Sequence, residues 1–462
     1  MGYTIRILFS EETEMKYLYI FCISICFIAC AHTDEDTHSA LHVGPGKKFS
    51  EIEQGYKAAK PGDTIYIHPK KDNTPYEKVG LKVKKQLVIK GVNTENGERV
   101  RIDGKGKNYR SPRAVFQVYK QASGTVIENL DIYNATNKTG NGAGLRVNQA
   151  SDVIIRGCDI HHCNDGIFSN GDGTLDTAKN IRIEYCSIHH NGCKHGPGAH
   201  NLYISGTSII ISGCDIYAST TSSSLKSRAH HLTVEYSYIH DASDKEISLV
   251  DAKGYTDIPE SSACIIGNII VKHPDCRGNT HTLQFGSNGH HDRQGTLYII
   301  NNTVISPYKP ALLQLTATSS KAVLINNIFW NGSSKNKHQD FLVTRMNADP
   351  KGVTGMGNWF SHCWAESLKK TGIDMSRNIL AGTGAVVPPF GNPEKRDFTL
   401  NRPYKGIVDN GIPLKDLILP EPFKSLTAGG SPAYEYKHPC SRAERFNDGK
   451  IDIGAYEFRK GT

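Results

Sequence analysis

Residues 200–229, HNLYISGTSIIISGCDIYASTTSSSLKSRA, determine the fold that this sequence predicts. They contain two short strands of one kind, NLYI at 201–204 and SLKS at 224–227, separated by an apolar strand of another kind at 209–216. If the two like strands stack as neighbouring rungs of a parallel sheet, their backbones lie about 4.8 Å apart. The chain then leaves one sheet for another and returns one rung further along.

The intervening strand belongs to a repeat. Each copy has an apolar residue, a small or polar residue three positions later and an apolar residue two positions after that, and eight copies follow at intervals of 23 to 34 residues. The copies are Ile127/Leu130/Ile132, Ile155/Cys158/Ile160, Ile183/Cys186/Ile188, Ile211/Cys214/Ile216, Val234/Ser237/Ile239, Ile265/Asn268/Ile270, Ile299/Asn302/Val304 and Leu324/Asn327/Phe329. Leucine-rich and ankyrin arrays have similar periods, but their units need a helical segment or their own consensus. The pattern therefore predicts an all-β fold, a right-handed parallel β-helix with apolar and Asn ladders inside.

A second column of strands runs between these triplets, and its outward positions form a ladder on one face. The strands are centred on Leu145, Ile167, Leu202, Leu225, Leu249, Leu283 and Leu313. The first outward positions read Arg146, Phe168, Tyr203, Lys226, Val250, Gln284 and Gln314. This ladder contains no carboxylate.

The polar centre of this ladder predicts chemistry on an acidic sugar. Lys226 and Arg228 point to the same side about 7 Å apart, and Tyr203 lies beside Lys226 on the neighbouring rung. Cleavage of a uronic-acid polymer by β-elimination needs a base, a group that neutralises the carboxylate and an acid for the departing oxygen. Lys226 suits the first task, Arg228 the second and Tyr203 the third. The expected substrate-binding residues are His200, Asn201, His281, Gln284 and Arg146.

The run GAHNLYISG through SSSLKSRA, with the repeated NN turns, resembles exported bacterial β-helix polysaccharide lyases of the alginate lyase and chondroitinase B type. The resemblance implies that Lys226, in Ser-Leu-Lys-Ser at 224–227, is the catalytic base. It also implies an arginine on the next rung, where this reading places Val250, and Ca²⁺ as a possible cofactor. The calcium-binding acidic residues of those lyases are not assigned to positions of this sequence, and Arg228 is the available substitute for the arginine.

Two other functions are compatible with the sequence. A glycoside hydrolase on the same fold needs two carboxyl groups about 5 to 9.5 Å apart. The candidates are Asp165, Asp172 and Asp176, or Asp241, Asp244 and Glu246. A non-catalytic surface protein that binds acidic glycan is the third reading, because a fold does not by itself give a function.

The net charge of the chain narrows the classes of molecule that it is expected to bind. The formal net charge is +8, which suits an acidic polysaccharide, and no Lys/Arg-rich run or nucleic-acid motif is present. Nucleic acid is therefore not expected, and the chain is expected to be a monomer.

Nine cysteines follow the leader, an odd number that argues against a closed disulfide framework. Cys163 and Cys193 form one candidate bridge.

The first thirty residues predict export. From Met15, the run MKYLYIFCISICFIAC has one lysine and an apolar stretch too short to span a membrane, which is typical of a signal peptide. The acidic residues before Met15 suggest that translation starts there. Phe27-Ile28-Ala29-Cys30 resembles a bacterial lipobox, so we expect a lipidated Cys30, with ordinary cleavage as the alternative. The protein is then exported to the cell surface or periplasm, as an outer-membrane lipoprotein if Cys30 is lipidated, and touches the membrane only through that anchor.

Residues 41–462 are predicted to form the β-helix domain. Ser50 and Glu53 make a capping box for a helix that ends near Ala59. This helix belongs to an N-terminal cap at about 45–62, since the open end of a solenoid needs covering. The period fades beyond Trp330, so residues from about 331 to 462 are expected to be an irregular region whose last strand closes the solenoid.

Overall fold

The computed structural model describes residues 38–193, 198–276, 280–307, 309–332, 339–383 and 386–460. The predicted signal peptide, with Met15 and Cys30, lies outside the described residues. Ala40–Thr462 form one compact unit. None of the helices in the described part of the chain has the length and apolar character needed to cross a bilayer.

The fold is an all-β, right-handed parallel β-helix built from three long parallel sheets. Each coil contributes one strand, or rung, to sheet 1, then to sheet 2, then to sheet 3. Sheet 1 contains Ala40–Val43, Thr64–Ile67, Val88–Gly91, Val126–Glu128, Ile154–Arg156, Ile181–Glu184, Ser208–Ser212, His231–Glu235, Ala263–Ile266, Thr296–Ile300, Lys321–Ile325 and Val353–Met356.

Sheets 2 and 3 complete the coils. Sheet 2 contains Tyr76–Glu77, Val100–Asp103, Leu130–Tyr133, Asp159–His161, Ser187–His189, Asp215–Tyr217, Tyr238–His240, Ile269–Val271, Thr303–Ile305, Ile328–Trp330, Trp359–Phe360 and Ile379–Leu380. Sheet 3 contains Leu81–Val83, Ala114–Tyr119, Ala143–Asn148, Asp165–Asn170, Leu202–Ile204, Leu225–Ser227, Ile247–Leu249, Leu283–Gly286, Leu313–Thr316 and Leu342–Thr344.

The triplets of the sequence form the interior, as predicted. Their apolar residues stack in register, for example Ile155 beside Ile183 in sheet 1, and they are buried. Between sheets 1 and 2 runs a ladder of small and polar side chains in which Cys158, Cys186 and Cys214 are buried free thiols. Beyond these thiols the ladder continues as hydrogen-bonded asparagines. Its members there are Asn268, Asn302, Asn327 and Asn358.

The N-terminal helix begins later than predicted. It spans Ile52–Ala58, with Glu51 rather than Ser50 as its N-cap. The side-chain oxygen of Gln54 accepts hydrogen bonds from the backbone N–H groups of Ser50 and Glu51, at 3.0 and 3.3 Å. The cap is therefore made one residue further along than the Ser50 and Glu53 pattern indicated, because Gln54 competes for the same donors. A second helix spans Ala365–Leu368.

The C-terminal part differs from the expectation in two ways. Strands Leu342–Thr344, Val353–Met356 and Trp359–Phe360 still join the three sheets, so the solenoid continues past Trp330. After Ile379–Leu380, the last strand of sheet 2, the chain pairs outside the solenoid, as two antiparallel hairpins. These hairpins are Phe390–Asn392 with Asp397–Leu400 and Tyr434–Lys437 with Ser441–Glu444.

The last hairpin does not close the end of the solenoid but lies along its side. Arg442 Nη1 donates to Ser212 Oγ at 2.9 Å and to Glu235 Oε1 at 3.1 Å. Further on, Asn301 Nδ2 donates to the carbonyl of Asp452 at 2.9 Å. The tail therefore packs laterally over coils in the middle of the molecule, whereas the expected last strand would lie across the end of the solenoid.

Candidate active site

The outer face of sheet 3, called here the groove face, is bordered by loops at both ends of its strands. At the carboxyl ends, the loop at 171–179 meets the loop at 252–262, where Gly173 N donates to Tyr255 Oη at 3.1 Å. At the amino ends, Cys276 Sγ lies 3.1 Å from the carbonyl of Ser243. The insertions in the repeat thus flank the coils that carry Tyr203 and Lys226.

The register of sheet 3 confirms one predicted neighbour of Lys226 and corrects the other. Tyr203 pairs with Lys226 on the preceding rung. On the following rung Lys226 pairs with Ser248, not Val250. The strand Ile247–Leu249 has apolar residues at both of its inward positions. The sequence pattern therefore predicts Leu249 as the partner of Leu225, whereas the true partner is Ile247. No arginine occupies the rung after Lys226 in either register.

Lys226 stands half-buried at the centre of the groove face. Its Nζ lies 5.2 Å from the ring centroid of Tyr203. Within the described ranges, no hydrogen bond or ion pair holds this amine. Burial lowers the pKa of Lys226, and the positive charges of Arg228 and Lys245 lower it further, against the opposing charges of Asp244 and Asp251. Lys226 is therefore an unengaged amine that loses its proton more readily than an exposed lysine does.

Tyr203 is surrounded by two aromatic rings and the amine of Lys226. Its ring makes edge contacts with Phe168 on one side and His200 on the other, each with centroids 5.2 Å apart. His200 is buried, its Nδ1 lies 3.3 Å from the carbonyl of Ser223, and its Nε2 is buried without a partner. Burial, with the charge of Lys226, lowers the pKa of His200 to about 3. This histidine is therefore a neutral group in the neighbourhood of Lys226.

Arg228 is close enough to Lys226 to influence its pKa, but part of its guanidinium is already engaged. Nη1 donates to the backbone carbonyl of Asp251, whereas Nε is buried without a partner. The contact with Asp251 fixes the direction of the side chain. Arg228 therefore retains donors for an anionic ligand.

Two of the predicted substrate-binding residues lie on the groove face. The guanidinium of Arg146 stacks over Phe168 at 3.7 Å, and its Nη1 is buried without a partner. Burial lowers the pKa of Arg146 to about 10. Gln284 lies two rungs after Lys226 and accepts from Ser248 Oγ at 3.2 Å.

Two other predicted substrate-binding residues, Asn201 and His281, differ in how deeply they are buried. Asn201 is fully buried and turned inward, accepting from Asn191 Nδ2 at 3.0 Å and donating to the carbonyl of Tyr217 at 2.7 Å. The structure therefore does not place Asn201 in the groove, because the coil interior uses its whole amide. His281 is half-buried, with Nδ1 3.1 Å from the carbonyl of Ala311.

Several groups around Lys226 come from turns that the repeat pattern did not single out as part of the site. Asp244 accepts from Lys245 Nζ at 3.3 Å. Asp251 is fully buried and accepts from the backbone N–H of His291 at 2.9 Å. Arg293, also fully buried, donates to the carbonyls of Val250 and Ala229. Asp244 was predicted only as a carboxylate of a hydrolase, and the only signal for Asp251 and Arg293 was the irregular length of the intervals between coils.

The carboxylates proposed for a hydrolase are held by different partners. Asp172 lies in the loop at 171–179 and accepts from Thr174 and Thr177, and Asp176 is exposed near Lys179. Asp241 is bound by Arg396 on the side of sheet 2.

The remaining hydrolase candidates are closer to the groove or buried behind it. Glu246 is fully buried and accepts from Ala242 N. Asp165 accepts from His200 N at 2.9 Å, and burial raises its pKa to about 7. Asp165 and Asp244 each interact electrostatically with Lys226.

The groove does not fit a calcium site. Asp165, Asp244 and Asp251 each already accept hydrogen bonds from protein donors. In the described part of the chain, one group of His, Cys, Asp or Glu side chains brings three ligand atoms within 4.8 Å of one another, and it is Asp131, Asp159 and His161 on sheet 2. No step at the groove is therefore assigned to a calcium ion.

Comparisons with known proteins agree with the fold. A family model described as "Right handed beta helix region" matches residues 116–329. The chain folds like a pectate lyase. The solved structure of pectate lyase Pel9A is 12% identical, with a TM-score of 0.53 over 92% of this chain and 98% of that chain. At this identity the likeness shows the fold alone.

A second solved structure is more distant. The tailspike protein gp49 of Acinetobacter baumannii bacteriophage Fri1, a capsular polysaccharide depolymerase, is 10% identical, with a TM-score of 0.42 over 76% of this chain and 62% of that chain. No curated protein matches the sequence significantly.

Proposed function

We propose that this protein is a polysaccharide lyase that cleaves an acidic, uronic-acid-containing polymer such as alginate by β-elimination. The observation that carries the proposal is the state of Lys226, an unengaged amine on the groove face whose pKa is lowered by burial and then by neighbouring cations. A general base needs a pKa near the working pH and a free path to the proton it removes. The likeness to a pectate lyase supports a β-helix scaffold for such chemistry.

In the proposed reaction, Nζ of Lys226 removes the proton from the carbon next to the uronate carboxylate. The electrons of that C–H bond form a C=C bond, and the bond to the departing sugar oxygen breaks. The hydroxyl of Tyr203 gives its proton to that oxygen. Arg228 pairs with the carboxylate, whose negative charge grows as the proton leaves, so this interaction is strongest in the transition state.

The charge of the groove face suits such a polymer. Arg146, Arg228 and Lys245 contribute cations along it, and the buried atoms Nη1 of Arg146 and Nε of Arg228 lack protein partners. Buried donors without partners are costly, typically by about 1–3 kcal/mol each. An anionic ligand that supplied acceptors would offset that cost.

The proposal is tested by the products of polymer degradation. Purified protein should release ultraviolet-absorbing, unsaturated sugar ends from at least one of alginate, pectate, glucuronan or a glycosaminoglycan, and none from a neutral glucan. Shortened chains without unsaturated ends would indicate hydrolysis and contradict elimination. Binding without any change in chain length would indicate a glycan-binding protein.

The pH profile should report the amine of Lys226. Because only the neutral amine can accept a proton, kcat/KM should rise with pH along a limb whose apparent pKa lies below 10.5, the ordinary value for lysine. Two neighbours should move this limb in opposite directions. Lys245→Gln removes a charge that lowers the pKa of Lys226 and should shift the limb to higher pH, whereas Asp244→Asn should shift it to lower pH. Unchanged limbs in both variants would show that another group titrates.

A further inference from the structure

Two consecutive coils carry a pair of adjacent histidines at the corner between sheets 2 and 3. His161 ends one strand of sheet 2 and is followed by His162, and His189 ends the next strand and is followed by His190. His162 and His190 have φ angles of 54° and 52°, in the left-handed region. This bend brings the two rings of each pair together, with Nδ1 of His161 2.7 Å from Nδ1 of His162 and Nδ1 of His189 2.8 Å from Nδ1 of His190.

The first ring of each pair is oriented by a carboxylate from the preceding coil. Nε2 of His161 lies 3.0 Å from Asp131 Oδ1, and Nε2 of His189 lies 3.1 Å from Asp159 Oδ1. A neutral imidazole that gives its Nε2–H to a carboxylate presents a lone pair at Nδ1. Histidines that bind metals are typically held in this way, by a carboxylate on the other ring nitrogen. The lone pair therefore faces the second histidine of the pair.

The spacing of the two nitrogens suits two ligands of one metal ion. With metal–nitrogen bonds of about 2.0–2.1 Å, two imidazoles at a right angle have nitrogens about 2.9 Å apart. Without a metal, one proton is shared between the two nitrogens. The two pairs are separated along the stack, with ring centroids 5.0 Å apart for His161 and His189 and 5.5 Å apart for His162 and His190. At that separation an ion with such bonds reaches one pair and not both.

The surroundings favour a cation over a sugar. Asp131 and Asp159 add negative charge and repel an acidic polymer. The stacked rings also turn their edges rather than their faces outward, so they form no platform for a sugar ring.

We propose that each of the two pairs, His161–His162 and His189–His190, chelates one divalent transition-metal ion, with Cu²⁺ bound most tightly. Copper stands highest in the general affinity order for nitrogen ligands, and its preferred tetragonal geometry matches two nitrogens at a right angle. The site lies on sheet 2 and its corner with sheet 3, apart from the groove face. Asp131 and Asp159 act as positioning residues for the ligands.

The test is Cu²⁺ binding by the full chain, measured by equilibrium dialysis with variants made by substitution to asparagine. His162→Asn and His190→Asn should each remove one bound ion relative to the wild type, and the double variant should remove two. Asparagine suits this backbone, since Asn134 holds the equivalent position one coil earlier with a φ of 59°. Circular dichroism should show an unchanged fold. His290→Asn, at an exposed histidine away from this corner, is the matched control and should bind as the wild type does.

A second variant separates a built site from ordinary surface histidines. Asp131→Asn should weaken binding at the His161–His162 pair by about 10–100-fold, because the carboxylate orients the ligand. Electron paramagnetic resonance of bound Cu²⁺ should show coupling to imidazole nitrogen that is lost in the double variant. Equal numbers of bound ions in the double variant and the wild type would overturn the proposal, and full affinity in Asp131→Asn would contradict the positioning role.

Discussion

Lys226→Ala is expected to lower kcat on the cleaved polymer by about 10²–10⁴-fold, the usual contribution of a general base. In the described part of the groove face, no other amine stands on the rung beside Tyr203. Binding of the polymer should persist, because Arg146 and Arg228 can still pair with its carboxylates. Initial rates and affinity should be measured separately, so that a loss confined to kcat identifies a chemical role.

Two further variants sharpen this prediction. Lys226→Arg keeps a positive charge but stays protonated, so it should be as inactive as the alanine variant. Lys82→Ala is a matched control, since Lys82 is an exposed lysine on the same sheet five rungs away, about 24 Å along the axis. It should keep nearly full activity. Full activity in Lys226→Ala would remove the basis of the proposed mechanism.

Asn302→Ala is expected to lower the free energy of unfolding by about 3 kcal/mol, among the largest effects available in this fold. Asn302 is fully buried. Its Nδ2 donates to the carbonyl of Ile265 at 2.8 Å and to Asn327 Oδ1 at 3.0 Å, and its Oδ1 accepts from the backbone N–H of Asn268 at 2.9 Å. Alanine leaves buried donors and acceptors without partners, each costing about 1–3 kcal/mol.

The chain provides its own controls for this ladder. Ser237 holds the same ladder position and accepts from Cys214 N at 3.1 Å. Asn302→Ser therefore restores one acceptor and should lose less stability than the alanine variant. Asn96→Ala, at an exposed turn, should change stability by less than about 0.5 kcal/mol. Denaturant unfolding measures all three, and equal midpoints for Asn302→Ala and the wild type would show that water replaces the lost partners.

The sequence predicts the interior of this molecule better than its surface. Each coil must place an apolar residue at the same point, so triplets such as Ile155/Cys158/Ile160 recur, and the pairing of Tyr203 with Lys226 follows from them. The register at Ile247–Leu249 was misread because two inward residues there are both apolar. Asp251 and Arg293 could not be assigned to the site, because they come from turns whose length does not repeat.

The lateral position of the tail has a consequence for the order in which the protein is made. A solenoid can form coil by coil as the chain leaves the ribosome or crosses a membrane, because each coil needs only the preceding coil as a template. Arg442, however, contacts Ser212 and Glu235, more than 200 residues earlier in the chain. Part of the outer surface of the middle coils therefore stays uncovered until the segment around Arg442 has been made. A chain that stopped before Arg442 would leave that surface exposed to solvent.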